Sequence, residues 1–171
     1  MKDVFLVYDA SCFYEIITLN YYMAFSKCDV LLCSPDGRPI RTMEGYRVNV
    51  DCAFEDVDLT QVRSFVVPGG EIAPIDTPRV WDCLRQLEAR GVLIAGICAG
   101  VDVLDHAGIL AGRLSTHSTN RDVVNHRRVI TARANGYVDF AIETAKELGL
   151  FQSEADLQET VDFWKYHHPM Q

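Results

Sequence analysis

No apolar run in this 171-residue chain approaches the ~18 residues that a membrane span needs, and the first apolar segment starts within a few residues of Met1 with no basic stretch before it. A membrane protein and a cleaved leader are both disfavoured, and the cytoplasm is the expected compartment. Positive charge is scarce as well. Sixteen basic residues face 24 acidic ones, the net charge is −8, and no Lys/Arg cluster forms a stripe that would track a phosphate backbone, so nucleic acid is a poor partner. The six cysteines, at 12, 28, 33, 52, 83 and 98, include no C-x-x-C pair, and reduced thiols are expected rather than three disulfides. Cys33 ends the run Val30-Leu31-Leu32 and Cys83 lies in an amphipathic segment, so both read as ordinary apolar positions. The five histidines lack ligand spacing with one another or with cysteine pairs, His167-His168 reads as a solvated terminus, and neither a metal nor a cofactor is expected.

What the chain does have is alternation. Its length suits one domain, residues 1–171, large enough to bury about 70% of the unfolded surface. Residues 4–8, 30–33, 64–67, 92–95 and 129–132 are short apolar runs that read as core strands, and 40–54 suits short strands or a hairpin. Between them, 13–25, 78–89, 100–107, 137–148 and a last segment from Ser153 toward Tyr166 carry helical spacing, with Asp156 placed to complete an S-x-x-D cap. Strands alternating with helices imply parallel pairing through right-handed crossovers: an α/β fold with an open, mostly parallel sheet covered by helices on both faces. No repeat, linker or low-complexity segment interrupts it. Ligands in such sheets bind beyond the carboxyl ends of the strands, which directs attention to residues 9–15, 68–72, 98–100 and 115–118.

Gly96-Ile97-Cys98-Ala99-Gly100 falls where one of these strands gives way to a helix. The spacing is that of a nucleophile elbow with sulfur in place of oxygen, and the residues two before and two after the nucleophile, here Gly96 and Gly100, must be small because the backbone packs closely there. A helix N-terminus behind the sulfur favours thiolate over thiol. A structural cysteine between chance glycines would carry the same five letters. Gly70, in the Gly69-Gly70 turn, and Ala99 offer backbone N–H groups for a developing oxyanion, although a Gly-Gly pair leaving a strand is also a plain turn. Glu15 could hydrogen-bond the sulfur or move a proton, a buried carboxyl being biased toward its neutral form, but glutamate in a first helical turn more often just faces the dipole. His117 could reach the rim as acid, base or substrate contact; His106 reads as a helix-surface residue, Asp9 as a turn or cap, and Asp102 as a dipole partner whose charge would oppose a thiolate nearby.

These residues together resemble the DJ-1/PfpI (ThiJ/PfpI) family, flavodoxin-like members of the class I glutamine amidotransferase-like superfamily. The resemblance runs from Val4 to about Leu150 and rests on Tyr8 to Glu15, Val66-Val67-Pro68-Gly69-Gly70, the elbow, the Ala107 to Gly112 stretch, Ser115-Thr116-His117 and Val129-Ile130-Thr131. It implies a flavodoxin-like fold, Cys98 as the reactive cysteine, Glu15 as the carboxylate at its sulfur, Gly70 and Ala99 as oxyanion donors, and His117 as the histidine near the pocket. The implied function is a cysteine-dependent hydrolase or lyase acting on small carbonyl electrophiles, glyoxalase- or deglycase-like. The alternatives are a redox sensor whose Cys98 becomes sulfinic acid under an oxidant, an isocyanide-hydratase-like enzyme, or a member whose elbow serves folding only. Isocyanide-hydratase relatives carry aspartate and a threonine after the cysteine where this chain has Glu15 and Ala99. Protease-like members place histidine directly after the nucleophile, so Ala99 argues against a protease. Val101-Asp102-Val103 departs from the uncharged start of the helix in many relatives. A regulator of the related type would need a helix-turn-helix domain beyond this length. The expected assembly is a homodimer, with residues 153–171 as a capping helix or dimer contact.

Overall fold

The computed structural model describes residues 1–169. In chain order, β1 (Lys2–Leu6), α1 (Tyr14–Phe25), β2 (Asp29–Ser34), the short β3 (Ile40–Arg41) and β4 (Arg47–Val48), and β5 (Cys52–Ala53) form the first half. There follow β6 (Val62–Val67), α2 (Pro78–Ala89), β7 (Leu93–Ile97), α3 (Gly100–His106), β8 (Val123–His126), β9 (Val129–Ala132), α4 (Tyr137–Glu147) and α5 (Glu154–Tyr166). The central sheet has seven strands in the order β5-β2-β1-β6-β7-β9-β8, parallel throughout except for β8, which pairs antiparallel with β9. Strand order reverses direction between β1 and β6, and the crevice beyond that point is where open α/β sheets bind ligands.

Alternating strand residues feed two cores. Val4 and Leu6 of β1, Phe65 and Val67 of β6 and Ile94 of β7 pack with α2 and α3, whereas Phe5, Val66, Leu93, Ala95 and Ile97 pack with α1 and α4. Leu84 and Leu87 on α2 are fully buried, worth about 2 kcal/mol each. Thr77 caps α2 by accepting from the Val80 N–H, with Pro78 at its first position, and Ser153 caps α5 by accepting from the Asp156 N–H at 3.2 Å.

Three details differ from the sequence expectation. β1 stops at Leu6, and Val7 and Tyr8 remain fully buried beyond it, the Tyr8 hydroxyl donating to the Pro68 carbonyl at 2.8 Å. The apolar run at 92–95 belongs to a strand that continues to Ile97, which brings Cys98 directly to its end. The edge strand β8 has no counterpart in the expected set. Within 40–54, β3 and β4 make a separate hairpin and β5 joins the main sheet.

Candidate active site: an elbow cysteine beside a buried glutamate

Cys98 adopts φ +54°, a left-handed conformation uncommon for a residue that bears a side chain, and here its surroundings impose it. The imposition is visible on both sides. Its N–H donates to the Ala132 carbonyl at 2.9 Å, and its carbonyl accepts from the Val101 N–H as α3 begins. A Cβ placed on Gly100 would stand 2.2 Å from the Val67 carbonyl oxygen, so only glycine lets the turn press against β6. Gly69 is held just as closely on the other side: a Cβ there would lie 2.6 Å from Cys98 Cβ and 2.9 Å from Glu15 Oε2. The strand, the strained residue and the helix make an elbow.

Glu15, on α1, is 0% exposed. Its Oε2 accepts from the Gly69 N–H at 2.7 Å, while Oε1 is buried with no hydrogen-bond partner. Burial pushes the carboxyl up, against the opposing pull of the Gly69 N–H, the Cys98 thiol and the Tyr14 hydroxyl. Burial likewise pushes the half-buried Cys98 thiol up, the Glu15 and Asp102 charges add to it, and the Ala99 N–H pulls the other way. The neutral thiol therefore favours the carboxylate, and the carboxylate in turn raises the thiol. The Gly70 and Ala99 N–H groups donate to no other backbone group among the described residues outside regular ladders.

His117 lies elsewhere in its contacts. Its Nε2 is 3.3 Å from Asp102 and its Nδ1 3.4 Å from Asp105, so both ring nitrogens engage carboxylates of α3 rather than the sulfur. His106 is tied to Asp76 at 2.8 Å and sets its ring edge-on to Trp81, the surface packing role its position suggested. Asp9 accepts from the Arg41 N–H at 2.7 Å and so docks the β3–β4 hairpin.

That hairpin brings in residues the sequence pattern did not single out. Ala10 N–H donates to the Arg41 carbonyl at 2.7 Å, Met43 N–H to Ser11 at 2.9 Å, and Tyr14 N–H to the Glu44 carboxylate at 2.9 Å. Cys12, whose N–H donates to the Gly69 carbonyl at 2.9 Å, has its thiol pushed up to about 11 by burial, with Glu15 and Cys98 adding. Tyr14 is pushed up to about 12 by burial and then by Glu15. Their position on the β1–α1 loop was the only advance signal. No group of three or more His, Cys, Asp or Glu among the described residues is arranged to hold a metal ion.

An open, mostly parallel sheet with a strained cysteine at the strand-to-helix turn defines a flavodoxin-like α/β protein built around a cysteine-bearing elbow. The sequence pattern of the DJ-1/PfpI family matches residues 1–147, and the chain belongs to that family. A glutathione-independent glyoxalase of Caenorhabditis elegans is 28% identical over 150 residues, covering 78% of this chain and 81% of that protein. A deglycase of Thermococcus kodakarensis is 36% identical over 102 residues, covering 57% of this chain and 61% of the relative. In structure, a DJ-1 superfamily protein of Agrobacterium tumefaciens superposes with a TM-score of 0.86 at 23% identity, covering 98% of this chain and 100% of the other.

Proposed function

We propose that this protein is a cysteine-dependent hydrolase or lyase of small carbonyl electrophiles, glyoxalase- or deglycase-like, acting in the cytoplasm. The observation that carries the reading is the fully buried Glu15 beside an elbow cysteine, with Oε1 unpartnered. The names of the Caenorhabditis and Thermococcus relatives support the substrate class.

Glu15 takes the proton of the neighbouring Cys98 thiol as the substrate arrives, and the thiolate so formed is supported by the Ala99 N–H. The thiolate adds to an aldehyde carbon. Negative charge moves to the carbonyl oxygen, which accepts from the Gly70 and Ala99 N–H groups, and Glu15 delivers its proton there. As a carboxylate, Glu15 then serves as the base that moves the carbon-bound proton of an α-oxoaldehyde adduct to its neighbour, and water releases the 2-hydroxy acid. His117, held by Asp102 and Asp105, orders the 115–118 loop at the rim and contacts substrate.

Methylglyoxal consumption tests this. Cys98→Ser should abolish turnover and Glu15→Gln should lower it by roughly 10²–10⁴-fold. A wild-type protein that turns over neither methylglyoxal, glyoxal nor their amine adducts overturns the reading. A redox-sensing role draws on the same unpartnered Oε1, a ready donor to a sulfinate once protonated. It requires that graded peroxide add two oxygens at Cys98 before any of the other five thiols is modified.

A further inference from the structure

Three of the six thiols sit together, away from Cys98. Cys33 is fully buried in the core under α2, Cys83 on α2 belongs to the same cluster, and the half-buried Cys52 packs against it. Cys33 and Cys52 are also direct register partners on the parallel strands β2 and β5. Register partners project side chains to the same face, and neighbouring strands lie about 4.7–4.9 Å apart, inside the roughly 4.4–6.8 Å Cα separation that a disulfide spans.

The chain between them is the segment that docks on the β1–α1 loop beside the site. Residues 34–51 leave β2, form the β3–β4 hairpin and return to β5. On the way they supply Arg41, Met43 and Glu44 to the loop that carries Cys12 and to the start of α1, where Glu15 lies. At its base, the Asp51 N–H donates to the Leu32 carbonyl at 2.8 Å and the Leu32 N–H to the Asp51 carboxylate at 2.8 Å. β5 has only two residues and lies at the sheet edge, where ladders open most readily.

We propose that Cys33 and Cys52 are a latent disulfide, closed by peroxide-class oxidants, that fastens the base of the 34–51 segment against the β1–α1 loop. The more exposed Cys52 attacks peroxide as the thiolate. Its sulfur gains one oxygen as sulfenic acid, and the departing hydroxide takes up a proton as water. Cys33 sulfur then attacks the sulfenic sulfur, its thiol proton joining the leaving hydroxide as a second water. Two electrons pass from the sulfur pair to the peroxide. Burial pushes both thiols up, and the Cys33 thiol donates to the Phe5 carbonyl at 3.6 Å, so closure follows sustained exposure rather than the first encounter.

The proposal is independent of the chemistry assigned to Cys98, and its test removes that cysteine. Cys98→Ser protein is exposed to graded hydrogen peroxide, trapped with N-ethylmaleimide and digested without reduction. The expected product is a cross-linked peptide pair containing Cys33 and Cys52, abolished by dithiothreitol and by Cys52→Ala, with amide exchange across residues 35–50 slowed about tenfold in the oxidised form. Peptide masses from the Cys98→Ser protein decide the pairing even if Cys52→Ala fails to fold. Sulfinic acid at Cys52 with Cys33 still alkylatable, a Cys33–Cys83 link, or a Cys33–Cys52 link that leaves exchange unchanged overturns it.

Discussion

At the residue scale, the proposed chemistry turns on which member of the Cys98–Glu15 pair holds the proton, and two measurements separate the possibilities. Removing a protonated donor raises the thiol pKa; removing a carboxylate lowers it. With the proton on Glu15, Glu15→Ala should slow alkylation of Cys98 by iodoacetamide at neutral pH about tenfold, and acceleration would assign the charge to the carboxyl. The second measurement is stability. Burial raises the Glu15 carboxyl above its usual 4.5, so its contribution is complete below that value and is lost as pH rises through the raised one. Denaturant titrations of wild type and Glu15→Gln should therefore diverge in favour of the variant as pH climbs above 4.5, and a gap independent of pH would place Glu15 in an unperturbed state. Glu15 illustrates the limit of pattern reading. A glutamate in a first helical turn is ordinarily solvated, and only the fold that presses Gly69 onto it makes it a buried acid.

At the scale of elements, α1 lacks a cap of its own: Phe13 precedes it with no side-chain hydrogen bond, and Glu44 from the hairpin accepts the Tyr14 N–H instead. Glu44→Ala should cost about 1 kcal/mol by chemical denaturation, and loosen the hairpin in hydrogen exchange. The five core strands and five helices were legible because each couples an apolar run or a 3.6-residue period to Gly or Pro punctuation. β8 was not. Asn125 pairs with Ile130 and His126 with Val129, leaving Arg127 and Arg128 as a two-residue turn, both at positive φ, +55° and +62°. Turns of this kind announce themselves as Asn-Gly, and two arginines conceal one. Arg128 is held there by the Gly91 carbonyl at 3.0 Å and Glu147 at 3.2 Å. No such contact holds Arg127 among the described residues, so Arg127→Asn should stabilise the protein by about 0.5–1 kcal/mol, read as a raised denaturation midpoint. Within the site, the pentapeptide and Gly69-Gly70 could be read in advance because their spacing is local. Cys12, Tyr14 and Glu44 could not, since they converge only after the hairpin docks on the β1–α1 loop.

For the whole molecule, α1 leaves Tyr14, Ile17, Tyr21 and Phe25 exposed, Phe25 by 79%, and at 100° per residue these four positions form one face. Single exposed apolar residues are ordinary, whereas an aligned row calls for a covering surface. We propose that a second copy of the chain covers it, with Tyr14 placing the edge of that contact beside Glu15. A subunit of net charge −8 repels its own copy, so the association must draw on apolar burial and should strengthen as salt screens the charge. Sedimentation velocity should find a dimer that tightens between low and physiological salt. Ile17→Glu and Phe25→Glu should each yield a folded monomer, since both side chains already lie in solvent and their replacement costs the isolated subunit little. A wild-type monomer at high micromolar concentration, or a dimer indifferent to both substitutions, would move the interface off α1. Because Tyr14 stands at the end of this face next to the site, the monomeric variants should also turn over methylglyoxal with a raised KM, as loss of a wall that orients substrate weakens binding before it touches the chemical step.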